Sequence, residues 1–168
     1  EVKKMWVSYA GESHSSGIRG GLNALELLDP KYAVNVGESG TPDPYTNINL
    51  RFSRATWGDY SNATGWIYSY GEEDWFTSAQ AVSRTKAGLQ YCHDNGPALG
   101  AIGFGWCWDT HIDTDNEFNA YVNATKEYIS YCSANGIPTK VFFTTGTVDI
   151  YTGQDGYEKH LGYELIRD

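Results

Sequence analysis

The sequence predicts a doubly wound, three-layer α/β/α domain on a mostly parallel sheet, with or without its last strand. Three observations carry that expectation. Short β-prone runs alternate with runs at helical spacing, the pattern of linked βαβ units. One run, ALGAIGFGW at 98–106, is continuously apolar, as in a strand covered on both faces. The chain has 168 residues, enough for one core and too few for two, so residues 1–168 are read as a single domain.

The elements follow in order. KMWVSYA (4–10) reads as the first strand. From Ser16 to Leu28, the residues Ile18, Leu22, Leu25 and Leu28 recur at helical spacing, and Asp29-Pro30 ends that helix. YAVNVGE (32–38) reads as a second strand. Residues 41–76, rich in Gly, Pro, Asn and Thr, read as one long aromatic-rich loop, a length that usually marks a functional segment. A helix is predicted over 77–93, with Val82, Leu89 and Cys92 on one face and Asn95-Gly96-Pro97 as its stop. After the buried strand at 98–106, Phe118, Tyr121, Val122, Thr125, Tyr128, Ile129 and Cys132 form the cleanest helical stripe, closed by Asn135-Gly136. TKVFFTTG (139–146) is the fourth predicted strand. Residues 157–167 read as a final helix with Leu161 and Leu165 inward.

Composition bounds the function. A net charge of −9 offers no basic stripe for phosphates, which argues against nucleic acid and an anionic membrane surface. No run approaches the ~18 apolar residues needed to span a bilayer, so no membrane insertion is expected. The first turn lacks both glycine-rich nucleotide fingerprints, and no cofactor is expected. Six Trp and thirteen Tyr exceed what one small core requires. Trp57, Trp66, Trp75, Trp106 and Trp108 are candidates for stacking on sugar faces or for a protein interface, with cover for the core under long loops as the plainer alternative. Cys92, Cys107 and Cys132 contain no CxxC element and make no metal site; one disulfide with a free thiol, or three buried thiols, both fit. Glu1 in place of an initiator Met, and the triplets Asn62-Ala63-Thr64 and Asn123-Ala124-Thr125, point to an extracellular, secreted protein.

In a doubly wound sheet the ligand crevice lies beyond the carboxyl ends of the strands. That rule selects Gly11–Ser15, Gly37–Thr41, Gly105–His111 and Thr144–Asp149. Ser13, at a strand-to-helix turn, sits where backbone N–H groups and the helix terminus stabilise developing negative charge. Read locally, Ser13, Ser15 or Ser16 equally serves as the helix cap. Gly40 offers bare backbone to a substrate, or simply a tight turn. Asp109 and His111 lie two apart on a loop, and Cys107 as a nucleophile requires a base and an electropositive setting.

YAGESHSSG after the first strand resembles the nucleophile block of the SGNH/GDSL hydrolase superfamily, with Gly11-Glu12-Ser13 for the usual Gly-Asp-Ser. AVNVGESGT is similar to the second block, and Gly40 is the best match to its oxyanion-hole glycine. GAIGFGWCWD falls at the third block, and the helix-then-strand order after it also resembles the family. The resemblance implies a flavodoxin-like serine hydrolase, most plausibly an esterase on acylated carbohydrate. Ser13 would be the nucleophile there, with the backbone N–H groups of Ser13 and Gly40 binding the oxyanion.

Two departures stand out. Cys107 occupies the place of the third block's Asn, and a thiol is a weak donor. No Asp-x-x-His block follows Thr144 in these residues. A serine needs a base within hydrogen-bond reach, and His111, oriented by Asp109 or Asp113, is the better stand-in within the chain. The departures keep a second expectation open: a non-catalytic structural, glycan-binding or self-assembling module. It would associate as a homo-oligomer through an exposed sheet edge.

Overall fold

The computed structural model describes residues 1–10, 13–37, 48–53, 77–95, 99–104 and 115–143. Its elements, in chain order, are β1 (Trp6–Ala10), α1 (Ser13–Leu28), β2 (Val34–Gly37), β3 (Leu50–Ser53), α2 (Ala79–Asn95), β4 (Leu99–Phe104), α3 (Asp115–Ala134) and β5 (Lys140–Phe143). The strands form one five-stranded sheet in the order β2-β3-β1-β4-β5, and every neighbouring pair is parallel.

β3 is an addition to the expected strands. It falls inside 41–76, which the sequence reading treats as loop throughout, and it separates β1 from β2. Its signal is present in Ile48-Asn49-Leu50-Arg51-Phe52-Ser53, where apolar and polar residues alternate with the period of a half-buried strand. Six residues of alternation stand there in a segment dominated by Gly, Pro and Asn.

Successive side chains of a strand point to opposite faces, and here they enter different cores. Trp6 joins Val82, Leu89, Cys92, Leu99, Ile102, Tyr121, Ala124, Tyr128, Cys132 and Ile137, the core beneath α2 and α3. Val7 and Tyr9 join Val34, Phe52, Leu22, Val36, Leu50 and Phe142, the core beneath α1. β5 divides in the same way, Val141 to the first cluster and Phe142 to the second. The sheet therefore carries apolar cover on both faces, as a parallel sheet requires.

Local chemistry sets the element ends. Ser78 caps α2, its hydroxyl accepting the Ala81 N–H at 3.1 Å. Asp29 accepts the Lys31 N–H at 2.9 Å, and Pro30 opens the short 3-10 turn that follows α1. That backbone hydrogen bond holds the Asp29 carboxyl below its ordinary pKa. α3 ends with Gly136 at φ 67°, and the Ile137 N–H returns to the Cys132 carbonyl at 2.9 Å while the Ile137 side chain is buried.

The predicted faces of α2 and α3 hold in the main. Val82, Leu89 and Cys92 are buried, as are Tyr121, Thr125, Tyr128 and Cys132, whereas Ile129 is half exposed. α1 keeps only Leu22 of its predicted face, packed against the core beneath it. It starts at Ser13 rather than Ser16, and it is rotated so that Arg19 is buried while Leu28 is 81% exposed and Ile18 and Leu25 are more than 40% exposed. The predicted helix at 157–167 lies outside the described residues.

Gly103 pairs with Tyr9 on one side and Phe142 on the other. The two rings stack at 5.8 Å and 8° between planes. A Cβ on Gly103 would lie 2.4 Å from the Phe142 ring, so a side chain there must displace it. We expect Gly103→Val to cost about 1–3 kcal/mol through overpacking, measured by urea unfolding, with a smaller loss for Gly103→Ala.

Burial also governs the titration of this core. It pushes the Cys92 thiol from 9.0 to about 12 and raises Cys132 and the Tyr128 phenol. Unfolding releases these protons more readily, so their contribution to stability is complete below pH 9.0 and declines as pH rises toward 12. Urea midpoints measured from pH 7 upward should accordingly fall above about pH 9. At pH 8 iodoacetamide should label Cys92 and Cys132 only after denaturation.

Candidate functional site

The site is built from the order and ends of the strands. β1 and β4 are neighbours, yet the chain leaves β1 toward β2 on one side and leaves β4 toward β5 on the other. In strand order this corresponds to a switch point, the kind of position at which open α/β sheets bind ligands. The ends are level, since Ala10 pairs with Phe104 and Phe104 with Phe143. Gly37 pairs with Ser53 at the other side of the sheet.

Among the sequence-selected residues, Ser13 falls just past the end of β1. Ser13 is the first residue of α1, with only Gly11 and Glu12 between it and the end of β1. At that position its backbone N–H belongs to the first turn, whose donors have no partner within a helix. Ser16 lies in the body of the helix and is exposed, so it is not the cap. Gly40 follows Gly37, the end of β2, and Cys107 follows Phe104, the end of β4, each by three residues. Chain length alone holds both within about 11 Å of those ends. β3 sets β2 one place farther from β1 than adjacent pairing would, so the end of β2 at Gly37 lies about 10 Å to the side of the β1 line.

Gly40, Cys107, Asp109, His111, Trp57, Trp66, Trp75, Trp106 and Trp108 all lie outside the described residues. Asp109 and His111 follow the end of β4 by five and seven residues in the sequence. Cys92 and Cys132 are free thiols buried in the core beneath α2 and α3, which removes both from a disulfide and from nucleophilic chemistry.

Two arginines that the sequence reading passes over are buried beside the strand ends. Arg19 of α1 is only 1% exposed, and its Nη1 donates to the Tyr9 carbonyl of β1 at 3.3 Å. Arg51 of β3 is 5% exposed and lies against the end of β2, where a Cβ on Gly37 would come 2.7 Å from Nη2. Arg51 occupies the same face as Trp6 and Ser53, and the Trp6 indole N–H donates to the Ser53 hydroxyl at 2.7 Å. Neither arginine has a sequence signal, because a lone Arg within a helix or strand ordinarily faces water.

A separate groove of about 640 Å³ runs between α2 and α3, lined by helix side chains that include Val82, Asn123 and Tyr131, and by Thr77 just before α2. Lys86 pairs with Glu127 there and sits 5.7 Å from the centre of the Tyr131 ring. The Tyr131 hydroxyl donates to Gln90 at 3.2 Å. The second sequon lies within α3 itself: Asn123 is exposed, and the Thr125 hydroxyl donates to the Tyr121 carbonyl at 2.8 Å.

No family model, curated protein or solved structure matches this chain. The site therefore rests on its own geometry. No helix among the described residues is long and apolar enough to cross a membrane.

Proposed function

We propose that this chain is an SGNH-like serine hydrolase domain, a secreted esterase acting on acylated carbohydrate, with Ser13 as nucleophile. The observation that carries the reading is the position of Ser13. It opens α1 at the carboxyl end of β1, beside β4, at the switch point of an all-parallel sheet. Strand order adds support. With β3 set aside, the remaining order β2-β1-β4-β5 follows the 2-1-3-4 sequence of a doubly wound, flavodoxin-like sheet.

The chemistry proceeds in two balanced steps. The Ser13 Oγ bonds to the acyl carbon while a base takes its proton, and backbone N–H groups of Ser13 and Gly40 stabilise the oxyanion. The sugar alcohol leaves with that proton. Water then attacks the acyl-serine, releasing the carboxylic acid and restoring the hydroxyl. Within residues 1–168 the base is His111, with Asp109 to orient it; otherwise it lies on another segment. The tryptophans at 57, 66, 75, 106 and 108 provide stacking surface for a sugar.

One observation favours a second reading, a non-catalytic glycan-binding or self-assembling module. Cys107 replaces the side-chain amide donor of the third block, and loss of one oxyanion donor typically costs ~100-fold or more in rate.

Labelling with a fluorophosphonate separates the two readings. The hydrolase reading expects modification of Ser13 in the wild type and none in Ser13→Ala. A wild type that stays unlabelled supports the module, and size-exclusion chromatography then tests self-assembly. Two further variants assign the partners. His111→Ala should abolish hydrolysis of an acetylated sugar if His111 is the base, and full activity places the base elsewhere. Cys107→Asn should raise the hydrolysis rate, by up to about 100-fold if the amide restores the missing donor.

A further inference from the structure

Resting on the placement of the nucleophile at Ser13, we propose that Arg19 is a positioning residue that ties the start of α1, and with it the Ser13 backbone, to the end of β1. Of the apolar stripe Ile18, Leu22, Leu25 and Leu28, α1 buries only Leu22 in part, leaves the other three exposed or half exposed, and turns Arg19 inward to 1% exposure. Taking a guanidinium out of water is costly, and leaving leucines in water forfeits apolar burial. Both costs oppose this orientation, so the contacts of Arg19 must offset them.

The contact identified for Arg19 points to its task. Nη1 donates to the Tyr9 carbonyl, one residue before the end of β1. Its Cα lies in the second turn of α1, six residues beyond Ser13. One side chain therefore bridges the last residues of the strand and the early helix, across the two-residue link Gly11-Glu12. Hydrogen bonds from a charged donor are stronger than neutral ones, and the planar fork of arginine holds direction as well as distance. Tying the end of β1 to the second turn of α1 limits the positions open to the backbone at the start of the helix, where Ser13 lies. The Tyr9 ring adds a second hold on the strand, packed between Phe52 and Phe142 with both ring centres at 5.8 Å.

The test compares Arg19→Met, which keeps length and loses the donors, with Arg19→Lys, which keeps charge and loses the fork. Amide hydrogen exchange of the peptide spanning 6–16 is the direct readout, and it does not depend on activity. Arg19→Met should speed exchange in that peptide by about tenfold or more, the scale set by losing one charged hydrogen bond, while α2 and α3 keep their protection. Arg19→Lys should restore part of it. Fluorophosphonate labelling of Ser13 should slow in the same order, with Arg19→Lys between wild type and Arg19→Met.

Unchanged exchange at 6–16 in Arg19→Met overturns the proposal. Uniform loosening of the whole domain, or failure of both variants to fold, also overturns it and makes Arg19 a general core residue. If only Arg19→Met fails to fold, Arg19→Lys carries the comparison, with faster exchange confined to 6–16 as the supporting result. A wild type that resists the fluorophosphonate while Arg19→Met loosens 6–16 alone would refute the hydrolase and leave the positioning role standing.

Discussion

β1 has to satisfy two cores at once, and the rest of the molecule is arranged around that demand. As the middle strand of an all-parallel sheet, it has no face directed at water. Trp6 enters the core under α2 and α3, and Val7 and Tyr9 enter the core under α1. The polar side chain between them, Ser8, is fully buried. A strand fixed from both faces can slip neither along its axis nor by one residue, because a slip would exchange its two cores. The rigidity of β1 passes to whatever follows it in the chain, and Ser13 follows it by three residues.

The polar groups near the strand ends extend this fixity. Trp6 reaches across to Ser53, Arg51 lies over Gly37, and Arg19 returns from the helix to the Tyr9 carbonyl. Each joins a strand to its neighbour or to the segment beyond it. Of these, the Arg19 hydrogen bond to the Tyr9 carbonyl acts on the backbone itself, while the Trp6–Ser53 bond joins two side chains and Arg51 fills the space beside Gly37.

Much of this was legible in the sequence wherever periodicity and burial agree. α2 and α3 were readable because their stripes, Val82-Leu89-Cys92 and Tyr121-Thr125-Tyr128-Cys132, are the faces they bury. β4 was readable from its unbroken apolar run. α1 misled because Arg19 shares the buried face with Leu22 while Leu25 and Leu28 turn outward, and no periodicity rule assigns a charged residue to the interior. β3 was hidden by its setting, a brief alternation inside a segment rich in turn formers. The candidate site divides along the same line. The strand ends, and so the rim, follow from pattern; the buried arginines beside it depend on contacts between residues distant in sequence.

The paired helices carry a consequence for how such a chain can vary. Lys86 meets Glu127 and Tyr131 meets Gln90, and both contacts join residues 41 positions apart. A constant offset means that α2 and α3 run in the same direction and keep one phase. Length changes between Asn95 and Asp115 that preserve β4 leave that phase untouched, because the loops absorb them. One residue inserted between Glu127 and Tyr131 turns the remainder of α3 by about 100°, and the two contacts can no longer be made together. Insertions and deletions among relatives of this chain should therefore collect at the ends of the strands and spare the helices. Natural variation would then reshape the rim that holds the candidate site while the frame beneath it stays fixed.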